Sequence, residues 1–464
     1  MKETVRWPIL LMVMAGVFLS TMDSGMVNVA LPTIMRSFNL SLGDAKFVVT
    51  LFLGTITVSL VFWGRLSDRV GKGRMYLLGV LVFSIGSASC SLASNYERLL
   101  ISRVIQALGA SMMMSTGPAI IKTVYATDHL GRSLGLVGIA TACGLLTGPY
   151  ISGILLSHYS WRAIFIVTLP VSAFVFLSGW FVLVKQLPSA MALDSSRFDW
   201  LGSCCWVVMV VLYLFVFQRI DTFMSVFTLV LFLLFAVVFY VFVRVEKTSV
   251  NPILPVRLLE KKFYWVAVLT AALSFAVLFC VLVLIPFYLD YILHMPVIEV
   301  GTVMMAVPTT LIVLSPLSGS LYDRIGARFL TTIGLGVSVL ALVSLAFLSV
   351  ESTPVEVALK LALLGAGQSV FLSPNSASVL SRVGEKYAGI TAGILATARN
   401  LGMVSGATLA AGLFAWFFSY YSGGTSLEEY TVIHQNSFIL ALKSTFLIAA
   451  LIGFCGSVLS ALRA

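Results

Sequence analysis

The sequence predicts an all-α integral membrane protein in which two six-helix bundles are joined by two additional transmembrane helices, with fourteen spans in all. Three observations lead to this prediction. The 464 residues are 59% hydrophobic and only 10% charged, whereas soluble domains are about 45–50% apolar and about 25% charged. Fourteen stretches are apolar over roughly the 20 residues that cross a bilayer. A polar turn motif also recurs at the equivalent point of the two halves.

The predicted spans follow one another with short connections, and no segment is long or polar enough for an independent soluble domain. The spans lie near 8–31, 45–64, 75–95, 98–121, 134–156, 163–184, 200–217, 223–243, 264–289, 300–320, 329–349, 356–380, 388–418 and 437–461. The first is expected to be a transmembrane helix and not a cleaved signal peptide, because it is long, contains Asp23 and lacks a convincing A-x-A cleavage site.

The distribution of lysine and arginine predicts the orientation of the spans. With the N-terminus inside, twenty of these residues fall in cytoplasmic segments and seven in external segments and their flanks. Positive charge accumulates on the cytoplasmic side of membrane proteins, so both termini are expected to be cytoplasmic. The net charge of +10 then reflects topology and contact with anionic lipid headgroups, and it does not argue for nucleic-acid binding.

Several classes of function lack their sequence signatures. The six cysteines lie in or near apolar spans without the spacing of metal ligands, so neither a metal site nor a disulfide framework is expected. The chain has no phosphate loop of an ATP-driven pump. It also has no H-E-x-x-H helix, D-D-x-x-D motif or nucleophile elbow of an enzyme. We therefore expect neither an enzyme nor a cofactor.

An internal repeat divides the chain into two halves. The octapeptide GRLSDRVG at Gly64–Gly71 recurs as GSLYDRIG at Gly319–Gly326, 255 residues later. Each copy closes one apolar span and opens the next. Since six spans need only about 180 residues, the surplus holds the additional helices. The predicted segments are 1–185 for the N-terminal bundle, 186–262 for the linker with two helices and 263–464 for the C-terminal bundle. Repeated halves predict a carrier with its site at the midplane.

Asp23 is a lone carboxylate deep in the first apolar span. A charge at bilayer depth costs roughly 2.5–3.5 kcal/mol even on a lenient scale, so such a residue usually handles an ion, a proton or a substrate. Burial favours the neutral form of a carboxyl group, which makes Asp23 the candidate for proton exchange and for contact with a cationic substrate. The alternative is a structural carboxylate that hydrogen-bonds Ser24 or a neighbouring helix. Asn28 is a weaker candidate for lining the substrate site.

Arg103 and Gln106 lie near the start of the fourth span and share one helix face. Both can point into the bundle, where Gln106 is a tentative substrate contact. A guanidinium stays charged and alters the proton affinity of a neighbouring carboxylate. The alternative for Arg103 is a snorkelling side chain that reaches the headgroups.

The repeated turn predicts a gate. Asp68 can sit at the N-terminus of a neighbouring helix while Arg69 caps helix carbonyls, and such a latch can hold one face of a carrier shut. A glycine-rich turn with positive-inside charges is the alternative, and the second copy favours the latch. The gating candidates are Gly64, Asp68, Arg69, Gly71, Arg74, Asp323 and Arg324.

Several segments resemble, in order, the major facilitator superfamily and, within it, the fourteen-span drug:proton antiporter family. They are DSGMVNVALP at Asp23–Pro32, GRLSDRVGKGR at Gly64–Arg74, RVIQALG at Arg103–Gly109 and NPILPVRLLEKKF at Asn251–Phe263. The resemblance covers nearly the whole chain, although Ala107 stands where the family usually has glycine.

The fifth span carries a pattern similar to the antiporter signature of that family, with Ser152 in place of one glycine. Its positions are Gly135, Gly144, Gly148, Pro149 and Gly153. Small residues allow close helix approach and proline permits bending. The pattern is therefore expected to close one half against the other, with generic helix packing as the alternative. The equivalent span of the second half has a similar small-residue face and also contains Arg399.

Asp290 and His294, at the outer end of the ninth span, are secondary candidates. They could relay protons, or they could be solvated loop residues. The family commonly carries an amide where Asp290 stands, so this position could affect coupling or substrate charge.

The resemblance implies a function. It implies a proton-coupled antiporter that exports lipophilic, often cationic drugs by alternating access, with Arg103 taking part in proton transfer. The expected partners are protons, a small-molecule substrate and the lipid bilayer of a bacterial inner membrane, and the expected state is a monomer. The alternative is an exporter of an endogenous metabolite, a siderophore or a lipid-like molecule on the same fold.

Overall fold

A computed structural model of the chain is helical throughout the residues that it describes, which contain no β-strand. The described residues are 3–39, 47–125, 127–184, 199–218, 226–249, 258, 260–425 and 431–463. The all-α fold class predicted from composition is confirmed.

The described helices follow the order of the predicted spans. They are α1 (Glu3–Ser37), α2 (Phe47–Val70), α3 (Lys72–Ser91), α4 (Tyr96–Val124), α5 (Thr127–His158), α6 (Ala163–Ile166), α7 (Thr168–Gly179), α8 (Trp200–Gln218), α9 (Val226–Thr248), α10 (Lys262–Tyr291), α11 (Val297–Met304), α12 (Ala306–Ile325), α13 (Ala327–Leu345), α14 (Pro354–Arg382), α15 (Ala388–Ser422) and α16 (Gln435–Ala461). A π-helical turn, Trp180–Val184, follows α7, and 3-10 turns at Glu385–Tyr387 and Val432–His434 precede α15 and α16.

Thirteen of the described helical stretches are long and apolar enough to cross a membrane. The predicted span near 200–217 forms helix α8, which has 19 residues but is not among these thirteen stretches. The prediction of exactly fourteen spans is therefore not confirmed.

The outer surfaces of the helices are strongly apolar. On α9, for example, Leu229, Val230, Phe232 and Leu233 are each more than half exposed. Exposing such side chains to water would cost about 25 cal/mol per Å², and a lipid environment removes that cost. The chain is an integral membrane protein whose outer surface is solvated by the bilayer.

The chain forms two compact units, neither of them continuous in sequence. Unit 1 comprises 1–211, 240–256 and 376–397. Unit 2 comprises 212–239, 257–375 and 398–464. The domain limits predicted from the sequence remain a prediction.

Glycines set the closest helix contacts of unit 1. A Cβ atom on Gly79 of α3 would lie 2.9 Å from the carbonyl oxygen of Gly109 on α4. On α5, a Cβ at Gly144 would lie 2.8 Å from the Phe18 carbonyl oxygen of α1, and one at Gly148 would lie 2.7 Å from that of Met22. The α3–α4 and α1–α5 pairs therefore approach as closely as their backbones allow.

Unit 2 repeats these contacts. Gly334 of α13 packs on the Gly367 carbonyl of α14, as Gly79 packs on Gly109. Gly402 and Gly406 of α15 lie against the carbonyl oxygens of Ala272 and Ala276 on α10, as Gly144 and Gly148 lie against α1. These contacts align α10 with α1 at an offset of 254 residues, α13 with α3 at 255, and α14 and α15 with α4 and α5 at 258.

The repeated turn ends in a glycine with a positive φ angle in both copies. Gly71 and Gly326, its last glycines, have φ angles of 105° and 81°. Only glycine adopts this region without steric cost. The turn between α2 and α3 in unit 1 is thus reproduced between α12 and α13 in unit 2, which confirms the internal repeat.

Candidate functional site

Helix α4 carries two of the predicted site residues into the interior of unit 1. The start of the helix is fixed by Asn95, whose side-chain oxygen accepts a hydrogen bond from the Arg98 amide at 2.9 Å. Glu97 in the first turn complements the positive end of the helix dipole. About two turns further on, Arg103 and Gln106 are both 0% exposed. They share a helix face, and both reach the same buried carboxylate.

That carboxylate is Asp23 of α1, and both of its oxygens are held. Arg103 Nη1 donates to Oδ2 at 2.8 Å, and Gln106 Nε2 donates to Oδ1 at 2.8 Å. Asp23 is 0% exposed, so solvent and lipid do not touch it. A buried charge is tolerated when it is paired and hydrogen-bonded, and Asp23 is both. The Ser24 hydroxyl donates to the Ser20 carbonyl of its own helix at 3.1 Å.

The Arg103 guanidinium is enclosed on several sides. Its Nε donates to the Val48 carbonyl oxygen of α2 at 3.2 Å. Its carbon Cζ lies 3.9 Å from the centre of the Phe52 ring and 5.8 Å from that of Phe165. Aromatic faces at these distances attract a cation. Of the two orientations that the sequence left open, the structure shows the interior one and not the snorkelling one.

Two further residues support this cluster, and sequence reasoning missed them. Gln106 Nε2 also donates to the Ser87 hydroxyl of α3 at 2.7 Å, and Ser87 lies 2.8 Å from the Thr168 hydroxyl of α7. Both residues are fully buried. Small hydroxyl residues occur in most spans of this chain, so no pattern distinguishes these two. We call Asp23, Arg103, Gln106, Ser87 and Thr168 the Asp23 cluster.

The cluster is closed in this conformation. Because Asp23 and Gln106 are 0% exposed, a substrate does not reach either side chain, and their predicted substrate contact stays a prediction. The side chain of Asn28, the third candidate for lining, lies outside the described residues.

Unit 2 has an apolar core where unit 1 has the Asp23 cluster. At the helix offsets given above, Asp23 corresponds to Val277, Arg103 to Leu361 and Gln106 to Leu364, while Ser87 corresponds to Leu342. These four residues are at most 1% exposed and belong to one hydrophobic core. The repeat thus preserves the helix packing of the first half but not its polar centre.

Unit 2 buries polar side chains at other positions. The Ser274 hydroxyl donates to Gln368 Oε1 at 2.8 Å, and Arg463 Nη1 donates to Asn375 Oδ1 at 2.7 Å. None of these residues is a carboxylate, and neither bond is an acid–base pair.

The Asp68 carboxylate contacts the start of helix α15, as the sequence predicted for a neighbouring helix. Its Oδ1 accepts a hydrogen bond from the Gly389 amide at 2.9 Å, and its Oδ2 accepts one from the Ile390 amide at 3.0 Å. The first amides of a helix have no partner within the helix and carry its positive end. Asp68 therefore caps the start of α15, within unit 1.

Two lysines hold the chain segment that precedes α15. The Lys122 ammonium donates to the Val383 carbonyl oxygen. Lys72 donates to the Glu385 carbonyl oxygen at 3.3 Å and to the Thr123 hydroxyl at 3.2 Å. These carbonyls lie just beyond the C-terminus of α14, where a cation is favourable. The turn from α14 to α15 is thus held by positive charges on one side and by Asp68 on the other, and the sequence did not indicate the lysines.

The remaining gating candidates flank these contacts. Arg69 is half-buried and Arg74 is exposed. In the second copy of the turn, Asp323 is half-buried and Arg324 is exposed, both in unit 2. A Cβ on Gly64 would lie 2.6 Å from the Gly389 carbonyl oxygen, so a small residue is required there.

The glycines of the fifth span make their close contacts inside unit 1. Gly144 and Gly148 lie against α1, and Gly135 is buried. Gly153 has no atom within 4 Å of its Cβ position, and the Pro149 side chain lies outside the described residues. The close contacts shown by Gly144 and Gly148 are with α1 of the same unit, and the expectation that they close one half against the other remains a prediction.

The secondary candidates lie in unit 2, and two of the three are exposed. Asp290 in the last turn of α10 and His294 just beyond it are both exposed, which agrees with the solvated alternative. Arg399 of α15 is half-buried. None of the three takes part in the hydrogen bonds of the Asp23 cluster.

Within the described residues there is no group of three or more histidine, cysteine, aspartate or glutamate side chains that could hold a metal ion.

Comparison of the sequence with known proteins identifies its family. The family described as Major Facilitator Superfamily matches residues 13–407. The riboflavin transporter RibZ of Clostridioides difficile is 29% identical over 98% of this chain and 97% of its own length. The multidrug resistance protein Stp of Mycobacterium tuberculosis is 30% identical over 86% of this chain and 74% of its own length.

Solved structures share the fold at low sequence identity. The human organic anion transporter MFSD10 superposes with a TM-score of 0.68 and 14% identity, over 99% of this chain and 100% of that one. The proton:xylose symporter XylE superposes with a TM-score of 0.66 and 15% identity, over 97% and 95%. At this identity the likeness shows the fold alone. Together with the family match, it shows that the chain is a membrane transporter of the major facilitator superfamily.

Proposed function

We propose that this transporter is a proton-coupled antiporter that exports lipophilic, cationic compounds by alternating access. The observation that carries the proposal is the Asp23 carboxylate, fully buried and paired with Arg103 at 2.8 Å. Relatives support the class of cargo, since Stp is described as a multidrug resistance protein, and MdtD of Pectobacterium atrosepticum, which matches 43% of this chain, as a putative one.

The pairing supplies a physical reason for coupling. Removing one partner of a buried ion pair leaves an uncompensated charge and costs about 3–5 kcal/mol. A proton on Asp23 removes the negative partner and leaves Arg103 charged, so protonation disfavours the closed conformation described here. A ligand shifts a conformational equilibrium by its differential affinity for the two states. In this proposal the proton is that ligand, and the conformational change opens the cluster.

The lack of an acid at the corresponding positions of unit 2 is consistent with this scheme. The corresponding positions in unit 2, Val277, Leu361 and Leu364, are apolar and buried, so they cannot bind a proton. We assign proton binding to Asp23 with Arg103 as its counterion, and we assign Gln106 to holding the carboxylate.

The Asp68 contact is proposed as the gate. It joins Asp68 to residues 321 and 322 positions later through two hydrogen bonds to the start of α15. A transport cycle that moves α15 relative to α2 must break these bonds. Lys72 and Lys122 hold the preceding turn. With both termini inside the cell, as the charge distribution predicts, these contacts lie on the cytoplasmic side. We assign the protein to the bacterial inner membrane as a monomer.

A second class of cargo is favoured by one observation. RibZ, described as a riboflavin transporter, matches 98% of this chain, more than the 86% matched by Stp. The second candidate is therefore an exporter of an endogenous metabolite, a siderophore or a lipid-like molecule with the same coupling. The Asp23 cluster does not separate the two, because it is closed to any cargo in this conformation.

The test uses purified protein in proteoliposomes with an acidic lumen. Protons that leave the lumen through an antiporter drive cargo inwards, whichever way the protein is inserted. Ethidium suits this assay because its fixed positive charge prevents passive trapping by protonation. We expect accumulation that a protonophore abolishes. Asp23→Asn should reduce gradient-driven accumulation by about tenfold or more, the scale of a coupling free energy of about 1–3 kcal/mol.

Glu97→Gln is the matched control, because it removes an exposed carboxylate from α4, the helix that carries Arg103. It should transport like the parent. Accumulation that survives the protonophore, or that persists in Asp23→Asn, would refute proton coupling through this residue. A panel that includes riboflavin and anionic compounds decides the cargo, and accumulation of riboflavin without ethidium selects the second candidate.

A further inference from the structure

We propose that Ser87 and Thr168 are positioning residues of the proton site, because they fix the direction of the hydrogen bonds that hold Gln106 against Asp23. This inference rests on the proposed function for its biological meaning, but its geometry does not. Neither residue touches the carboxylate. Thr168 lies two side chains away from it, on α7, and is linked through Ser87 on α3.

The direction of the chain follows from counting hydrogens, beginning at the far end. The Thr168 hydroxyl donates its one hydrogen to the Phe165 carbonyl oxygen at 2.7 Å. At its 2.8 Å contact with Ser87, Thr168 must therefore accept, and Ser87 must donate. The single hydrogen of Ser87 is then used, so its oxygen is left to accept from Gln106 Nε2 at 2.7 Å.

The orientation of the Gln106 amide is fixed by the same logic. Its Nε2 carries two hydrogens, one directed to Ser87 and the other to Asp23 Oδ1. Its Oε1 accepts from Arg103 Nη1 at 2.6 Å. A flipped amide would place an oxygen against the carboxylate and an NH₂ group against the guanidinium, which are repulsive contacts. The acceptor offered by Ser87 therefore favours the one orientation in which Gln106 donates to Asp23.

Few other charged or titratable groups face Asp23. Arg103 approaches from α4, and the Cys90 thiol of α3 lies 3.9 Å from Gln106 Oε1. From α5, the facing residues are the glycines Gly144 and Gly148, which do not titrate. A change in the hydrogen bond from Gln106 should therefore act directly on the protonation of Asp23.

The chain of hydroxyls is not a requirement of helix packing. In unit 2, Leu342 occupies the position that corresponds to Ser87, and it is fully buried in an apolar core. The α3–α4 packing and its α13–α14 counterpart use the same glycine contacts with or without the hydroxyl. The Ser87 hydroxyl is therefore not needed for helix packing, and its contact is with Gln106 of the Asp23 cluster.

The experiment compares Thr168→Val, which keeps the shape and removes the hydroxyl, with Thr168→Ser, which restores the hydroxyl. The readout is the infrared band of a protonated carboxyl group, followed against pH and assigned to Asp23 by its loss in Asp23→Asn. Without its acceptor at Thr168, Ser87 can turn its hydrogen towards Gln106 Nε2, which weakens the contact that holds the amide against Asp23. Since hydrogen bonds stabilise a carboxylate, protonation of Asp23 should then begin about half to one pH unit higher.

Ser87→Ala should give the same shift, and its matched control is Ser111→Ala. Ser111 is a buried serine of α4 whose 2.8 Å bond to Ser59 lies outside the Asp23 cluster. A shift in Thr168→Val and Ser87→Ala, with none in Thr168→Ser or Ser111→Ala, supports the proposal. The parent shows no band if Asp23 stays ionised at every pH at which the protein is folded. In that case Thr168→Val must still show the band, because its Asp23 is expected to take up a proton at a higher pH.

An unshifted Thr168→Val, a shift of equal size in Ser111→Ala, or the absence of the band from both the parent and Thr168→Val overturns the proposal. Failure of the proposed function gives a different result. The parent would then not accumulate cargo in an imposed pH gradient, while the infrared comparison, which needs no transport, could still give the expected pattern.

Discussion

Asp23 and Asp68 each lie where a specific set of donors compensates the charge of the carboxylate. Asp23 receives one donor on each oxygen, from Arg103 and Gln106, and Asp68 receives one on each oxygen, from two backbone amides. A buried acceptor left without a donor costs about 1–3 kcal/mol, and more for a charged group. Each acid is therefore coupled to the conformation that supplies its donors. The two differ in their donors, since Asp23 faces a side-chain cation and Asp68 faces a helix terminus.

At the residue scale, Asp68→Asn should release the start of α15. An asparagine oxygen can accept from one of the two amides, but its NH₂ group repels the other, and the negative charge at the helix end is lost. Hydrogen bonds to charged groups contribute about 1.5–3 kcal/mol, so hydrogen exchange at Gly389 or Ile390 should accelerate by about tenfold or more. Peptide-level hydrogen–deuterium exchange measures this directly.

The internal control is the start of α13, which follows the second copy of the turn in unit 2. Exchange there should not change. Unchanged exchange at Gly389 and Ile390 in Asp68→Asn would mean that the cap does not stabilise this helix end and that the gate must be sought elsewhere.

The sequence identified the chemically active residues better than it identified their partners. Asp23 and Arg103 stand out because charge is rare in apolar spans, and Asp68 stands out because its turn is repeated. The roles of Ser87 and Lys122 were not predicted. Their partners lie 19 and 261 residues away, and contacts at such separations depend on how helices pack. No local pattern distinguishes a serine that meets Gln106 from one that bonds to its own helix.

At the scale of elements, glycine positions decide which helices touch. The fifth-span glycines were correctly predicted to allow a close approach, but the sequence could not say to which helix. On α5, a Cβ at Gly148 would lie 2.7 Å from a backbone oxygen of α1, while Gly153 faces open space five residues later. The same helix therefore holds a glycine that packing requires and one that packing does not.

These two glycines give a matched prediction. Gly148→Ala should lower the free energy of unfolding by about 1–3 kcal/mol, the usual cost of an extra carbon in a packed contact. Gly153→Ala should leave it unchanged or raise it by about 0.5–1 kcal/mol, because alanine loses less conformational entropy in a helix. Thermal unfolding in detergent, followed by tryptophan fluorescence, distinguishes them. Equal midpoints would mean that α1 and α5 do not pack as closely as described.

At the scale of the whole molecule, both units have the same glycine-mediated helix packing, but only unit 1 has the Asp23 cluster. The repeated glycine contacts give the two units the same helix framework. Within that framework, unit 1 places an acid, a cation and an amide where unit 2 places valine and leucine. The fold therefore does not require the polar residues, which are retained at a cost in desolvation. Their retention is what a coupling site needs, since an apolar core has no state that a proton can change.

Replacing the centre of unit 1 with its counterparts from unit 2 tests this separation of fold from function. The variant Asp23→Val, Arg103→Leu, Gln106→Leu carries the residues found at 277, 361 and 364. Exchanging a buried ion pair for apolar residues of similar volume is often neutral or stabilising by about 1–4 kcal/mol, whereas removing one partner costs about 3–5 kcal/mol. We expect the triple variant to unfold at or above the midpoint of the parent, Arg103→Leu alone to unfold well below it, and neither to accumulate cargo in a pH gradient. Thermal unfolding and the proteoliposome assay measure both properties on the same preparations. A triple variant as unstable as Arg103→Leu would show that the polar centre is required for the stability of the fold. A triple variant that still couples cargo to the pH gradient would place the proton site outside the Asp23 cluster.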